Sequence, residues 1–208
     1  MEQSTNNKKQ LPINKFNESI LVVKRKNLFP KGDWLGIKQV DFEQYLKLVQ
    51  EHQEFMPRGL AEEDATYKQV IPYLVFRHND LYFLMQRKNS SSEQRLASKY
   101  SLGIGGHLRE EDMKGSSIIE WAQREFDEEI NYTGSVTITP LGILNSEETP
   151  VDQVHIGFVL LLEGDSEDIS IRSELQSGEL VSLAVCKEKD LEGWSRFVVD
   201  YLERYNTR

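Results

Sequence analysis

The sequence predicts a mixed α and β fold built as one main domain, and three observations carry that prediction. Pairs of apolar runs are separated by short polar turns. A helical pattern opens on a capping-box spacing. A second apolar stripe recurs at helical period over the last residues. The 208 residues hold 38% apolar and 28% charged side chains, enough Leu, Ile, Val and aromatics for a real core.

Residues 1 to about 18 are rich in Asn, Gln, Lys and Ser and read as a flexible leader. Residues 19–208 read as a single domain, with an N-terminal extension over about 19–65 packed on it. Within the extension, Asp41 is placed to cap a helix carrying Phe42, Tyr45, Leu46 and Val49. The apolar runs Val70–Phe76 and Leu81–Met85 flank a polar turn and predict a hairpin. Pro72 within the first run marks an edge strand or a bulge. Thr137–Leu144 and Val154–Leu162 form a second pair, and Leu180–Val185 reads as a shorter strand. A last helix spans about Leu191 to Tyr205, with Trp194, Val198, Tyr201 and Leu202 along its stripe.

Composition excludes several classes. The longest apolar run, Ile156–Leu162, is too short to span a bilayer, and the polar start lacks a secretory signal, so the expectation is a cytoplasmic protein without a membrane. The single cysteine, Cys186, makes no internal disulfide or multi-cysteine zinc site and reads as a small buried hydrophobe. Thirty-four acids against 25 bases give a net charge of −9, which argues against a nucleic-acid partner.

The informative segment is Gly103-Ile104-Gly105-Gly106-His107, an acidic loop, then the helix from Ser117 to Ile130. Ser117 and Glu120 have capping-box spacing. At about 100° per residue, Glu128 and Glu129 fall at roughly −60° and +40° from Glu125, so three carboxylates share one face. Glu125 and Glu129 repel at i, i+4 by about 0.2–0.5 kcal/mol, a conflict that a hard divalent cation removes. Arg124 can pair with Glu128 or orient a ligand carboxylate. The competing reading is a solvated acidic face.

Gly105-Gly106 followed by Arg124-Glu125-Phe126-Asp127-Glu128-Glu129 resembles the signature of the Nudix hydrolases. The tracts Tyr67–Tyr73, Arg95-Leu96, Gly103–His107 and Val154–Gly157 are similar to a bacterial subgroup of predicted phosphoesterases. The loop between Gly106 and Arg124 is longer by about four residues. The signature's first Glu falls on Ser116, with Glu110, Glu111 or Asp112 as unaligned replacements. Its last Gly is Asn131, a residue that tolerates a left-handed helix end.

The resemblance implies an α+β, Nudix-type α/β/α sandwich with a mixed β-sheet and a loop–helix–loop catalytic motif. It implies hydrolysis of a diphosphate linkage in a nucleoside diphosphate derivative or related phosphorylated metabolite, with Mg²⁺ or Mn²⁺ as cofactor. By matching position, Glu128 and Glu129 become metal ligands, Glu125 a ligand or a handler of the nucleophilic water, and a Gly105 or Gly106 carbonyl a further ligand. A later loop supplies one more carboxylate in several relatives; Glu174 and Glu179 are the candidates. Arg87, Lys88, Arg95 and Lys99 against Glu93 give residues 85–100 a charge of +3, suited to phosphate. Arg87, Arg95, Lys99 and His107 are therefore candidate substrate contacts, and His107 is also a candidate secondary acid. Trp34 and Trp121 are weighed between base stacking and core, His155 between packing and substrate contact. A non-catalytic nucleotide-metabolite sensing module is the alternative function. The extension could cover a sheet edge or make a homodimer contact.

Overall fold

The computed structural model describes residues 15–87, 99–111, 117–172 and 175–206. A 3-10 turn over Lys15–Asn17 leads into β1 (Ser19–Lys24), α1 (Arg25–Leu28), β2 (Gly36–Lys38), α2 (Phe42–His52), β3 (Gln53–Pro57) and α3 (Arg58–Ala61). Then come β4 (Tyr67–His78), β5 (Leu81–Arg87), β6 (Tyr100–Ser101), β7 (Gly103–Gly105) and α4 (Ile118–Glu129). After them run β8 (Ile130–Tyr132), β9 (Val136–Asn145), α5 (Pro150–Gln153), β10 (His155–Gly164), β11 (Ile169–Ile171), β12 (Leu175–Ser182), α6 (Leu183–Lys187) and α7 (Gly193–Asn206).

One mixed sheet organises the chain in the order β12-β5-β4-β10-β9-β2. The predicted hairpin forms, turning at Asn79, whose φ of 53° an Asn side chain tolerates. Its strands pair only near the turn and then diverge. β7 pairs with β4 and β6 with β5 in the space between them, which sets the Gly103–Gly105 strand in the sheet beside β4. β4 and β10 run parallel from Gln69/His155 to Arg77/Glu163, a pairing that requires a crossover connection. β1 joins the sheet on β4 and β2 joins it on β9.

Side chains alternate between two cores, as strand period 2 requires. Leu74, Phe76, Phe83 and Phe158 face α2 and α4. Tyr73, Val75, Leu84 and Leu161 face the opposite layer, against Val198 and Leu202 of α7. Helices on both faces make the α/β/α sandwich. α4 seats Ile118, Trp121, Ala122 and Phe126 in the first core. Each large apolar side chain so buried contributes about 1.5–3 kcal/mol.

Three local expectations change. Pro72 is central rather than on an edge, pairing in register with Phe158. It is tolerated because β1 leaves β4 at Gln69 and β7 joins only at Tyr73, so the missing N–H falls in that gap. The strand expected to reach Val185 ends at Ser182, whose hydroxyl accepts from Val185 N and starts α6. α7 starts at Gly193, and Leu191 instead bridges Tyr100. The leader expectation lies outside the described residues over 1–14, whereas Lys15–Asn17 form the turn and Phe16 packs beside Gly59.

Candidate active site

α4 starts where its sequence says it should. The Ser117 hydroxyl accepts from Glu120 N at 3.1 Å, and the Glu120 carboxylate accepts from Ser117 N at 2.7 Å, completing a capping box. Burial of Trp121, Ala122 and Phe126 fixes the helix rotation and turns Glu125, Glu128 and Glu129 away from the core. Asp127 and Glu128 are exposed, while Arg124, Glu125 and Glu129 are half-buried. Arg124 Nε lies 3.8 Å from a Glu128 oxygen, the expected i, i+4 pair.

The Gly105-Gly106 loop lies directly over this helix. A Cβ on Gly106 would stand 2.6 Å from Glu125 Oε1 and 3.2 Å from the Trp121 ring, so only glycine lets the backbone approach the carboxylate. The donors on this helix face and loop are carboxylates and backbone, the hard oxygen chemistry that suits Mg²⁺ or Mn²⁺. Among the described residues no three His, Cys, Asp or Glu side chains already converge as an ion site. The residues therefore fit the ion in kind and in backbone approach.

On the other side of the same loop lies a cavity of about 370 Å³, shared by the Gly105–His107 loop, Ile71 and Tyr73 of β4, the α5 segment and the start of α7. Asp152 anchors one wall. Its Oδ2 accepts from Thr149 N and Oγ1, and its Oδ1 accepts from Trp194 Nε1 at 3.0 Å. Buried Lys68 holds that segment from behind, donating to Asp152 O and to Glu147 Oε1, each at 2.8 Å. Burial lowers the Lys68 ammonium pKa despite the Glu147 carboxylate. Glu192 is buried in a network with Ser101, Tyr73 and Ser195.

His107 lines the cavity, but not as a cation. Burial first, then the Arg58 guanidinium, push its imidazole down to about 2. Hydrogen bonding agrees. His155 Nδ1 faces Val151 O at 2.7 Å and must donate, so its Nε2 accepts. His107 Nε2, at 2.8 Å from Gln69 Oε1 and 3.3 Å from His155 Nε2, then carries the proton. A ring held neutral in this way is a poor general acid.

Lys99 also lines the cavity, 2.9 Å from Asp190. Arg95 and Glu174 lie outside the described residues, as do Asp112, Ser116 and the side chain of Arg87. Glu179 sits within β12 rather than in a loop, opposite Leu84. Its neighbour Leu180 packs in the α4-side core, so alternation turns Glu179 to the other sheet face, away from the carboxylates. Glu110 accepts from Ser19 and Glu111 lies 3.5 Å from Arg109. Asn131 is not a left-handed cap: α4 runs straight into β8, and the Asn131 side chain bonds Arg172 and Ser170. Trp121 is core, 2% exposed, and Trp34 donates to Ile143 O in an aromatic cluster with Phe29 and Tyr45. Sequence reading missed Asp152, Glu192 and Arg196, although Thr149-Pro150-Val151-Asp152 carries a readable capping-box signal.

No family model matches the chain. It is 33% identical over 207 residues to Protein YmaB of Bacillus subtilis (strain 168), covering 92% of this chain and 100% of that one. The crystal structure of Tm1382, provisionally assigned as a Nudix hydrolase, is similar with a TM-score of 0.73 and 31% identity, over 89% of this chain and 98% of that one. The Nudix domain of Shewanella oneidensis NrtR, solved with ADP ribose, shares the fold at a TM-score of 0.53 and 12% identity, over 66% and 88% of the two chains. With its glycine loop seated on a carboxylate helix inside this sandwich, the chain belongs to the Nudix superfamily.

Proposed function

We propose that the protein hydrolyses a diphosphate linkage in a nucleoside diphosphate derivative or related phosphorylated metabolite, using Mg²⁺ or Mn²⁺. The single observation behind this reading is the position of Gly106, which lines the cavity and lies so close to Glu125 that a Cβ there would stand 2.6 Å from its Oε1. A ligand half in the cavity is thereby joined to the carboxylate face across one loop. Glu125, Glu128, Glu129 and the Gly106 backbone are the residues that would hold the ion. Bound there, the ion would neutralise diphosphate charge and lower the pKa of coordinated water. Arg124 restrains the Glu128 carboxylate, and Trp121 and Phe126 keep the helix in register with the loop. Lys99 offers the cavity a cation for phosphate.

The test is phosphate release from a panel of nucleoside diphosphate derivatives, capped nucleotides and dinucleoside polyphosphates, assayed with each metal. Glu128→Gln should keep the fold and lose turnover by orders of magnitude. Full activity in that variant refutes the assignment. The sensing-module alternative draws on the lengthened loop before Arg124 and on Ser116 standing where the signature has its first Glu. Ligand-induced stabilisation by a panel member, with no release under either metal, would favour it.

A further inference from the structure

We propose that the cavity at the start of α7 recognises one planar heteroaromatic ring, held against Trp194 and Tyr73, and that Asp152 is the positioning residue that presents Trp194 to it. The assignment of that ring to the substrate rests on the hydrolase reading above.

Both aromatic side chains are fixed at two ends. The Trp194 indole N–H is bound to Asp152 Oδ1 at 3.0 Å. Its benzo edge lies over Gly157, where a Cβ would stand 2.8 Å from Cζ3. The Tyr73 hydroxyl lies 2.8 Å from Ser195 Oγ and 3.2 Å from Glu192 Oε1. Its ring fits against Gly103, where a Cβ would stand 2.1 Å from Cε1. Rings immobilised in this way lose little freedom when a ligand arrives, which favours affinity through preorganisation. Tyr73 and His155 stand at 68° and 81° to the indole plane, so neither stacks parallel on it.

Size and charge narrow the ligand further. A volume of about 370 Å³ is near the lower end of the roughly 300–1,000 Å³ common for ligand sites. That suits one ring system and leaves the second half of any dinucleoside outside. His107 Nε2 faces Gln69 Oε1 and His155 Nε2, and both Asp152 oxygens are already engaged, by Trp194 and Thr149. Lys99 and the exposed Arg196 border the same space, where they can meet an attached phosphate.

Ligand-observed NMR titration in EDTA tests this without turnover. The probes are the four common ribonucleosides, with ribose 5-phosphate and inorganic diphosphate as ring-free controls. At least one nucleoside should bind saturably and more tightly than either control. Trp194→Ala should weaken it about tenfold or more, the range expected of a lost stacking face, and Trp194→Phe, which keeps a ring but loses the Asp152 hydrogen bond, should fall between wild type and Trp194→Ala. Asp152→Ala should weaken the same ligand in the wild-type background but add nothing to Trp194→Ala, because it acts through the indole. A general structural defect would instead add in both backgrounds and would overturn the positioning role. Controls binding as well as nucleosides, or full affinity in Trp194→Ala, would overturn the ring site. Because no metal or hydrolysis enters, this proposal and the Glu128→Gln test can fail separately.

Discussion

At the scale of single residues, Gly106 borders the cavity and the Glu125 carboxylate at once. The clash that a Cβ would cause is with the end of the Glu125 side chain at 2.6 Å, not with backbone. Gly106→Ala should therefore displace that carboxylate rather than unfold the loop. A misplacement of about 1 Å near reacting groups can cost roughly 10²-fold in rate. The expected outcome is a fall in kcat of about that size with the urea midpoint nearly unchanged. A large midpoint shift with unaltered kcat would assign Gly106 to folding instead. Trp121 underlies the same contact, which explains a tryptophan that is 2% exposed yet adjacent to an acidic face.

Among the elements, α4 depends on its first turn, because a 12-residue helix has little stability of its own. Ser117→Ala opens the capping box and should cost about 1 kcal/mol, read as a lower urea midpoint, with Ser117→Thr close to wild type. This local logic is why α4 was legible in the sequence: its cap, apolar stripe and carboxylate face all lie within one short window. The main hairpin and the β9–β10 pair were legible for the same reason, each read from apolar runs and turn residues. Boundaries decided by tertiary partners were not. Ser182 stops β12 because its hydroxyl can cap α6, a choice hidden inside an apolar run. Asn131 becomes a strand residue because β11 stands beside it, and Pro72 is admitted to a central strand by the gap between β1 and β7. The cavity was illegible because Tyr73, Asp152 and Trp194 come from three distant segments, and at helical spacing Trp194 reads as one more core position.

For the whole molecule, one knot of charge ties the amino-terminal segment to the cavity wall. Lys68 is completely buried and shares Glu147 with Arg25, which also pairs with Asp33. These contacts join β1's end, β4 and the segment leading into α5, where Asp152 sits. Burial alone would raise the Glu147 pKa, but hydrogen bonds from Arg25 and Lys68 outweigh it and hold the group below its usual 4.5. A carboxylate whose pKa is lowered by folding binds fewer protons in the native state than in the unfolded one. Its stabilisation is present above the unfolded value and is lost as pH falls through the folded value. Acidification below about 4.5 should therefore loosen the knot, leaving the Lys68 ammonium buried without its counter-charge. Glu147→Gln should lower stability at pH 7 and flatten the decline between about pH 5 and 3, since its amide does not titrate there. Urea midpoints of both proteins across that range decide the matter: curves that stay parallel would remove Glu147 from the acid response and leave the exposed carboxylates to account for it.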